Sequence, residues 1–360
     1  MSERALATVE VVQEVRPIPG ADAIEVVRIR NWWIVVKKDE GYEVGRRCVY
    51  FEVDSALPVE DPRFAFLAAR STKTMPSGSP VHVLSTARLK GQVSQGLVLP
   101  LSDFPELDGL PDDFTGDVTE LLGIVKYDPP LPMSTGGEIA GRFPTSYVSK
   151  TDSGRIQNFS PEDWADITAV IRDPFGVYYG WEWRATEKID GTSATFIQGE
   201  AGLVVCSRNY QIRDGDNVYW SMVDKYKLNE IIPFGCYVQG EIYGNGINGN
   251  RLRLPDVRFA AFKAGMWSQR SSYAFARAGE HDESWVGRLP VVPSLDLQLA
   301  LSIEDNIAMV DGMKSTIAPD RLAEGVVWRL HDFSSDGYER CPPVPTFKVI
   351  SNAYLLKNKD

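Results

Sequence analysis

The chain has 360 residues and a mass of 40.1 kDa, a length that predicts two or three domains. Hydrophobic residues make up 43% and charged residues 24%, which excludes wholesale disorder, and no apolar run is long enough to span a membrane. The net charge of −11 comes mostly from residues 101–180, so the overall charge does not exclude a local basic groove for nucleic acid elsewhere.

The first hundred residues show the pattern of a small β domain. Short runs of alternating or β-branched residues are separated by Pro-Gly, Asp-Glu-Gly and Lys-Gly turn signals. The predicted strands cover residues 7–15, 24–29, 32–36, 48–53, 81–84 and 96–99. This spacing favours a small closed barrel over a βαβ unit, so we assign residues 1–100 to a β-barrel domain. Basic residues flank aromatic ones at positions 28–33, where such a barrel can hold a nucleic-acid backbone and stack bases.

Residues 101–150 differ from both flanks in composition. Clusters such as Asp-Gly-Leu-Pro-Asp-Asp and Asp-Pro-Pro-Leu-Pro predict an acidic, loop-rich connector. Residues 151–360 then form a second domain, with strands at 181–187, 193–198, 203–207, 236–242, 257–264, 325–330 and 346–350 and helices at 162–172, 218–232 and 295–310. This order predicts an α+β domain in which most strands are antiparallel.

The cysteines and histidines argue against metal-centre or disulfide chemistry. Cys48, Cys206, Cys236 and Cys341 lie far apart without a Cys-x-x-Cys pair, and the chain has three histidines. Scattered cysteines suit a reducing compartment, and the N-terminus does not have the pattern of a secretory signal. We therefore expect a cytoplasmic enzyme, or one in the host cytoplasm if a phage encodes it.

The sharpest local signal is the stretch Glu187-Lys188-Ile189-Asp190-Gly191. A lysine that leaves a strand into a tight turn can act as a nucleophile, and glycine lets the backbone approach a phosphate. Three fixed residues are a weak signal by themselves, and a solvated turn lysine is the plain alternative.

Further short motifs follow in order: Cys206-Ser207-Arg208-Asn209, Gln239-Gly240-Glu241-Ile242-Tyr243-Gly244, Arg258-Phe259-Ala260-Ala261-Phe262-Lys263, Ala323-Glu324-Gly325-Val326-Val327-Trp328-Arg329 and Thr346-Phe347-Lys348-Val349-Ile350. The series resembles the motif set of the covalent nucleotidyltransferases, which comprise ATP-dependent RNA and DNA ligases and capping enzymes. The closest resemblance is to RNA ligases, and residues 88–97 resemble the OB-type barrel of tRNA-binding modules. Together with residues 150–158, this N-terminal barrel resembles the Deinococcus-type nick-sealing RNA ligases.

This resemblance implies an OB-like barrel followed by an ATP-grasp-like nucleotidyltransferase domain, and it assigns roles around ATP. Lys188 would be the nucleophile, Glu187 would bind ATP or AMP, and Lys348 would contact the α-phosphate. Phe262 would stack on adenine, although Phe259 is an alternative, and Arg208 would reach the ribose or the RNA 3′ end. The family often has Lys-x-Lys in its last motif. Here Ile350 takes the second position, so a further phosphate contact would come from elsewhere, with Lys357 as a candidate.

Metal and nucleic-acid ligands follow from the same resemblance. Triphosphate chemistry needs Mg²⁺ or Mn²⁺ bound by hard oxygen ligands, and Asp190, Glu241 and Glu324 are the matching carboxylates. Glu241 is alternatively a ligand for a ribose hydroxyl. Arg155, Arg208 and Arg213 are candidates for contacts to the nucleic acid.

The implied reaction has three steps. Lys188 takes AMP from ATP, AMP passes to a 5′-phosphate end, and a 3′-hydroxyl then attacks to form the phosphodiester bond. The expected substrate is nicked RNA or an RNA–DNA duplex, sealed by a monomer without a membrane partner. Which sugar stands on each side of the nick is left open.

Two other readings share parts of this pattern. DNA ligases and capping enzymes also contain Lys-x-Asp-Gly, but they place the OB domain after the catalytic domain. A non-catalytic protein that keeps the ligase fold and only binds nucleic acid is the alternative from another class.

Overall fold

The structure is a computed structural model that describes residues 4–127, 136–151, 153–172, 175, 178, 180–267, 271–274, 285–332 and 344–358. The chain folds as two compact units, Met1–Leu131 with Lys359–Asp360 and Pro132–Asn358. The division falls within residues 101–150, so this segment contributes residues to both units. No helix in the described part of the chain is long and apolar enough to cross a membrane.

The N-terminal unit consists mainly of short strands in antiparallel sheets. Its elements are β1 (Ala7–Val11), β2 (Glu14–Pro17), β3 (Ile24–Ile29), β4 (Trp32–Lys37), β5 (Arg47–Phe51), β6 (Ser55–Pro58), α1 (Ala68–Ser71), β7 (Thr72–Thr74), β8 (Pro80–Val83), β9 (Ala87–Leu89), β10 (Gln92–Ser94), β11 (Leu97–Pro100), β12 (Gly116–Asp117) and β13 (Val125–Lys126). The strand orders are β11-β5-β1-β12, β13-β6-β8-β7, β2-β3-β4 and β10-β9.

The strand predicted over residues 7–15 is in fact two strands with different partners. β1 pairs with β5, and Val12 N still donates to Arg46 O at 3.0 Å. The next residue, Gln13, donates instead to Arg28 O at 2.9 Å, after which β2 pairs with β3. The chain stays extended through this change of partner, which is why residue alternation alone predicts a single strand.

The two tryptophans at the start of β4 have different environments. Trp32 is fully buried among Val27, Ile29 and Ile34, because alternation along the strand turns it into the core. Trp33 is half-buried, with the Arg16 guanidinium 4.4 Å from its ring centroid. The prediction that this aromatic stretch stacks bases is therefore wrong for Trp32.

The C-terminal unit combines two larger sheets with helices. Its elements are β14 (Ile139–Arg142), β15 (Gly154–Arg155), α2 (Pro161–Arg172), β16 (Trp181–Lys188), β17 (Thr192–Gly199), β18 (Gly202–Cys206), β19 (Tyr210–Ile212), α3 (Val218–Tyr226), α4 (Leu228–Ile231), β20 (Cys236–Gly244), β21 (Val257–Met266), β22 (Ser271–Ala274), β23 (Ser294–Leu295), α5 (Ile303–Val310), β24 (Gly325–Asp332), β25 (Thr346–Ile350) and α6 (Asn352–Lys357). The seven-stranded sheet has the order β14-β19-β18-β17-β20-β21-β22, and the five-stranded sheet has the order β15-β25-β24-β16-β23.

Two predicted helices differ from those observed. The helix predicted over 218–232 is interrupted at Lys227, whose φ of 56° ends α3 in a left-handed cap before α4 begins. The helix predicted over 295–310 is wrong in its first half, because Ser294 and Leu295 form β23 and pair with β16. Helix α5 begins only at Ile303, where the Ser302 hydroxyl accepts from Asp305 N at 3.0 Å.

The five-stranded sheet has one apolar and one polar face. Trp183 and Ala185 of β16, together with Trp328 of β24, pack with residues of α2 and α5. Their strand neighbours, including Thr186 and Arg329, must therefore lie on the opposite face. This polar face contains the residues from which the candidate site is built.

Candidate active site

Lys188 ends strand β16 and is paired with Gly325 of β24. Its Nζ lies 2.6 Å from Glu324 Oε2, and its side chain is 25% exposed. Two glycines make room for this arrangement. A Cβ on Gly191 would lie 2.3 Å from the Ile242 carbonyl oxygen, and one on Gly325 would lie 2.1 Å from the Val349 carbonyl oxygen. The glycine of Lys-x-Asp-Gly is therefore explained here by the close approach of neighbouring strands.

The charged groups around Lys188 shift one another's pKa values. Burial alone would lower the pKa of Lys188, but the carboxylates of Glu324, Glu241 and Asp190 outweigh it, so the pKa is raised. Burial, with the nearby Glu324 and Asp190, raises the pKa of Glu241 to about 8, although Lys188 and Arg208 oppose the shift. Burial also raises the pKa of Glu324. The carboxylates therefore keep the Lys188 amine protonated, and their own negative charges repel one another.

The third carboxylate of the cluster, Asp190, is held by other side chains. Its Oδ2 lies 3.0 Å from Arg251 Nε and also accepts a short hydrogen bond from the Tyr354 hydroxyl. Asn248 Nδ2 donates to Asp190 Oδ1 at 3.4 Å and to the Gly191 carbonyl at 2.5 Å. We call Asn248, Arg251 and Tyr354 the Asp190 network.

Glu241 differs from Asp190, because no hydrogen bond to its carboxylate is found among the described residues. A crowded carboxylate with open oxygen atoms fits a divalent cation, which prefers hard oxygen ligands. Glu324 can contribute the second carboxylate, whereas Oδ2 of Asp190 is already engaged. The described residues do not contain a preformed cluster of three or more His, Cys, Asp or Glu side chains with metal-site geometry. Glu241 and Glu324 are therefore the residues that best fit Mg²⁺ or Mn²⁺.

The structure separates the two candidate adenine-stacking residues. Phe259 is fully buried in the core of the seven-stranded sheet, where its ring meets Phe196 edge-on at 5.2 Å. Phe262 is half-buried, and the Arg329 guanidinium lies 5.2 Å from its ring centroid. Of the two rings, only that of Phe262 is accessible to a base.

Glu187 lies on the opposite side of β16 from Lys188. Its carboxylate is buried and accepts from both Thr316 N at 2.8 Å and Thr316 Oγ1 at 2.5 Å. These bonds tie the strand that ends in Lys188 to the segment after α5. The structure does not bring this carboxylate to the Lys188 cluster, and its contact with ATP stays a prediction.

The predicted basic residues are distributed unevenly. Lys348 of β25 is close enough to Glu324 for its charge to oppose the burial that raises the pKa of that carboxyl, and it pairs in register with Arg155 of β15. Arg208 is exposed, and its positive charge opposes the rise in the pKa of Glu241. Arg213 instead forms an exposed ion pair with Glu138 at 2.8 Å.

Ile350 occupies the position at which the family often has the second lysine of its last motif. The Ile350 side chain is buried, and Lys357 is exposed on α6. A contact between Lys357 and a phosphate stays a prediction. Asp152, within the segment 150–158 used for the family resemblance, lies outside the described residues.

Several residues at the site were not predicted from the sequence. Arg329 donates to Thr186 Oγ1 at 2.7 Å, is not paired with any carboxylate of the described residues, and has its pKa lowered to about 10 by burial. Asn248, Arg251 and Tyr354 were also missed. A signal for the loop was present, because residues 244–250 contain three glycines and three asparagines, the residues that best tolerate left-handed backbone.

Comparison with known proteins identifies both parts of the chain. Residues 6–101 match an OB-fold domain model, and residues 181–350 match the RNA ligase family model. No curated protein matches the chain.

Solved structures of Naegleria gruberi RNA ligase match almost the whole chain. A lysine mutant with ATP and Mn has 33% identity and a TM-score of 0.80 over 98% of this chain and 100% of that one. A glutamate mutant with AMP and Mn has 33% identity and a TM-score of 0.80 over 99% and 100%. The same ligase with PPi has 34% identity and a TM-score of 0.78 over 98% of each chain.

These matches confirm the predicted family, the N-terminal OB-like domain and the α+β class. The order of the two domains also agrees with the sequence prediction, since the OB-fold match precedes the ligase match. The chain belongs to the RNA ligase family and is an RNA ligase with an N-terminal OB-fold domain.

Proposed function

We propose that this RNA ligase uses ATP and a divalent cation to seal 3′-hydroxyl and 5′-phosphate ends at nicks in a duplex, through an AMP adduct on Lys188. The single observation that carries the proposal is the position of Lys188. It ends a buried strand with its Nζ 2.6 Å from Glu324 Oε2, beside the open carboxylate of Glu241. A solvated turn lysine would not be surrounded by three carboxylates.

Attack on the α-phosphorus of ATP requires a neutral amine, and the raised pKa of Lys188 opposes this. Glu324 accepts the hydrogen bond from Lys188 and is the nearest group that can take its proton. A cation bound by Glu241 and Glu324 would add positive charge that lowers the pKa of the amine. The side chains thus keep Lys188 protonated until the nucleotide and metal arrive.

The remaining residues position the nucleotide. Phe262 offers an accessible ring for adenine, and Lys348 adds positive charge beside Glu324, where the α-phosphate must lie. Arg208 lies near enough to Glu241 to affect its pKa and would contact the ribose or the RNA end. Nucleotidyl transfer depends mainly on positioning and charge neutralisation, which this set of groups supplies.

The finer substrate assignment has separate support. Nick sealing in RNA or RNA–DNA duplexes rests on residues 150–158 and on the barrel-first domain order. Action in the cytoplasm rests on the scattered cysteines, and action by a monomer stays a prediction. The OB-fold match over residues 6–101 supports binding of a nucleic-acid strand, which OB folds commonly perform.

The adenylylation step can be tested directly. The protein is incubated with ATP labelled at the α-phosphate and Mg²⁺, then denatured and separated on a gel. We expect a labelled band for the wild type and for Lys225→Ala, a control lysine in an exposed ion pair, but none for Lys188→Ala. An unlabelled wild type would contradict the proposal and favour a non-catalytic binder.

The substrate is tested by a panel of nicked duplexes with RNA or DNA on each side of the nick. We expect sealing to require RNA on the 3′-hydroxyl side at least. Equal sealing of an all-DNA nick would contradict the RNA assignment, whereas sealing of single strands alone would contradict the duplex assignment.

A further inference from the structure

The Asp190 network joins three parts of the C-terminal unit that are distant in sequence. Asp190 follows β16, Asn248 and Arg251 belong to the β20–β21 loop (residues 245–256), and Tyr354 lies on α6. The polar contacts to Asp190 come from Arg251 Nε at 3.0 Å, from the Tyr354 hydroxyl and from Asn248 Nδ2 at 3.4 Å. Oδ2 alone receives two of the three.

The β20–β21 loop has an unusual backbone. Asn248, Asn250 and Arg253 have φ values of 43°, 47° and 54°, in the left-handed region that costs non-glycine residues energy. Asn250 stabilises the turn, because its side chain accepts from Leu254 N at 2.9 Å and donates to Leu254 O at 2.8 Å. Such strain persists where the surrounding structure holds it, most often at functional sites.

The loop also packs against the turn that carries Lys188. Leu252 and Leu254 are buried in the same apolar cluster as Ile189, the residue between Lys188 and Asp190. The loop thus contacts the turn twice, through an apolar side chain and through the adjacent carboxylate.

Helix α6 is fixed at both of its ends. Ala353 N donates to Asp311 Oδ1 at 2.7 Å, and the Ser351 hydroxyl caps the helix by accepting from Tyr354 N at 3.2 Å. At the other end, Arg251 Nη1 donates to the Asn358 carbonyl at 2.9 Å. Arg251 therefore bridges Asp190 and the end of the helix that follows the Lys348 strand.

We propose that Asn248, Arg251 and Tyr354 are positioning residues for the ligase reaction, which act by fixing the Asp190 carboxylate. The network holds the Lys188 turn, the β20–β21 loop and α6 as one unit. A carboxylate fixed in this way keeps its position beside Lys188, whereas a released one could turn toward the amine and displace Glu324 as the acceptor of its hydrogen bond. The network thus protects the Lys188–Glu324 hydrogen bond on which the proposed function depends.

The first test is kinetic and uses Tyr354→Phe, which removes the hydroxyl but keeps the buried ring. We expect the maximal rate of AMP attachment to fall about 10-fold, with the KM for ATP within about twofold, since none of the three network side chains is among the residues assigned to the nucleotide. Tyr147→Phe, which changes an exposed tyrosine of the same unit, should match the wild type. A raised KM with an unchanged maximal rate would overturn the proposal.

The second test does not depend on Lys188 chemistry. Amide hydrogen exchange is measured on the ligand-free protein, and we expect Tyr354→Phe to speed exchange at both Thr192 and Leu355, on the two sides of the network. In an Asp190→Ala background the same change should add little at Thr192, because the link is already broken. Unchanged exchange at Thr192 in the single variant, or an equal increase in both backgrounds, would overturn the coupling.

Arg251 supplies the conservative comparison. Arg251→Lys retains the charge but loses the fork that spans Asp190 and the Asn358 carbonyl, so it should restore part of the rate lost in Arg251→Met. Equal rates for both variants would contradict a positioning role. If the wild type forms no AMP adduct, the proposed function fails. The exchange measurement still tests whether the Asp190 network couples the Lys188 turn to α6.

Discussion

Both units of the protein bury charged groups, and the two sites differ in whether their carboxylates are engaged by a neighbouring side chain. In the N-terminal unit, Arg4 donates to Glu52, to Asp54 at 3.1 Å and to the Val53 carbonyl at 2.7 Å. In the C-terminal unit, Glu241 lies near two further carboxylates and accepts no hydrogen bond from the described residues. A carboxylate held by an ion pair stabilises a fold, whereas a buried carboxylate that accepts no hydrogen bond is prepared for a ligand.

The largest effect should come from Lys188, the amine that lies among the carboxylates of the C-terminal site. Lys188→Arg keeps the positive charge among the carboxylates, but a guanidinium does not lose its proton at neutral pH. We expect AMP attachment to fall more than about 1,000-fold while the thermal midpoint stays close to that of the wild type. Retention of more than a few per cent of the activity would place the nucleophile elsewhere.

The second prediction contrasts one carboxylate from each cluster. Glu241→Gln should reduce sealing about 100-fold but raise the thermal midpoint above pH 8, where the Glu241 carboxyl is ionised, because it removes a crowded charge. Glu52→Gln should lower the free energy of unfolding by about 2 kcal/mol, because Arg4 loses a buried ionic partner. Paired measurements of activity and denaturant unfolding check both, and destabilisation by Glu241→Gln would contradict the distinction between the clusters.

The third prediction separates the two phenylalanines. Phe262→Leu should raise the KM for ATP about 10-fold, because stacking on a base is worth roughly 1–3 kcal/mol. Phe259→Leu should instead destabilise the fold by about 1 kcal/mol with an unchanged KM, since its ring is buried in the core. The opposite assignment of the two effects would identify Phe259 as the stacking residue.

The smallest effect concerns pH. The pKa of Glu241 is raised from 4.5 to about 8, so the folded state holds this proton more tightly than the unfolded state. Its contribution to stability is therefore greatest below pH 4.5 and declines as the pH rises to about 8. We expect thermal midpoints to fall by a few degrees over this range in the wild type but less in Glu241→Gln. Mg²⁺ should offset the decline increasingly as the pH rises, because it binds the ionised carboxylate.

Much of the catalytic unit follows from local patterns. Strands β16, β24 and β25 are predicted nearly as observed, because one face of each packs on α2 and α5 and so alternates. The helix predicted at 295–310 begins too early, because the first of these residues also suit the short strand β23, and pairing with β16 decides between helix and strand. The choice of partner is a tertiary effect that a local window does not contain.

At the candidate site, too, local sequence patterns do not predict contacts between residues that are far apart in the chain. Lys188, Glu241 and Glu324 stand in short motifs that the sequence displays. The contact between Tyr354 and Asp190 spans 164 positions, and neither residue carries a local sign of it. A tyrosine on an amphipathic helix looks like an ordinary core residue until the fold brings its hydroxyl to a carboxylate.

The pairing of β16 with β24 fixes the position of Lys188 along the sheet and the face on which its side chain lies. Trp181 opposes Asp332 at one end and Lys188 opposes Gly325 at the other, with eight residue pairs in register. Because side chains alternate, inserting or deleting one residue within β16 would turn Lys188 into the apolar layer and Glu187 outward. The nucleophile can thus be displaced only in steps of two residues, so changes in length between relatives should be confined to the segments outside this ladder.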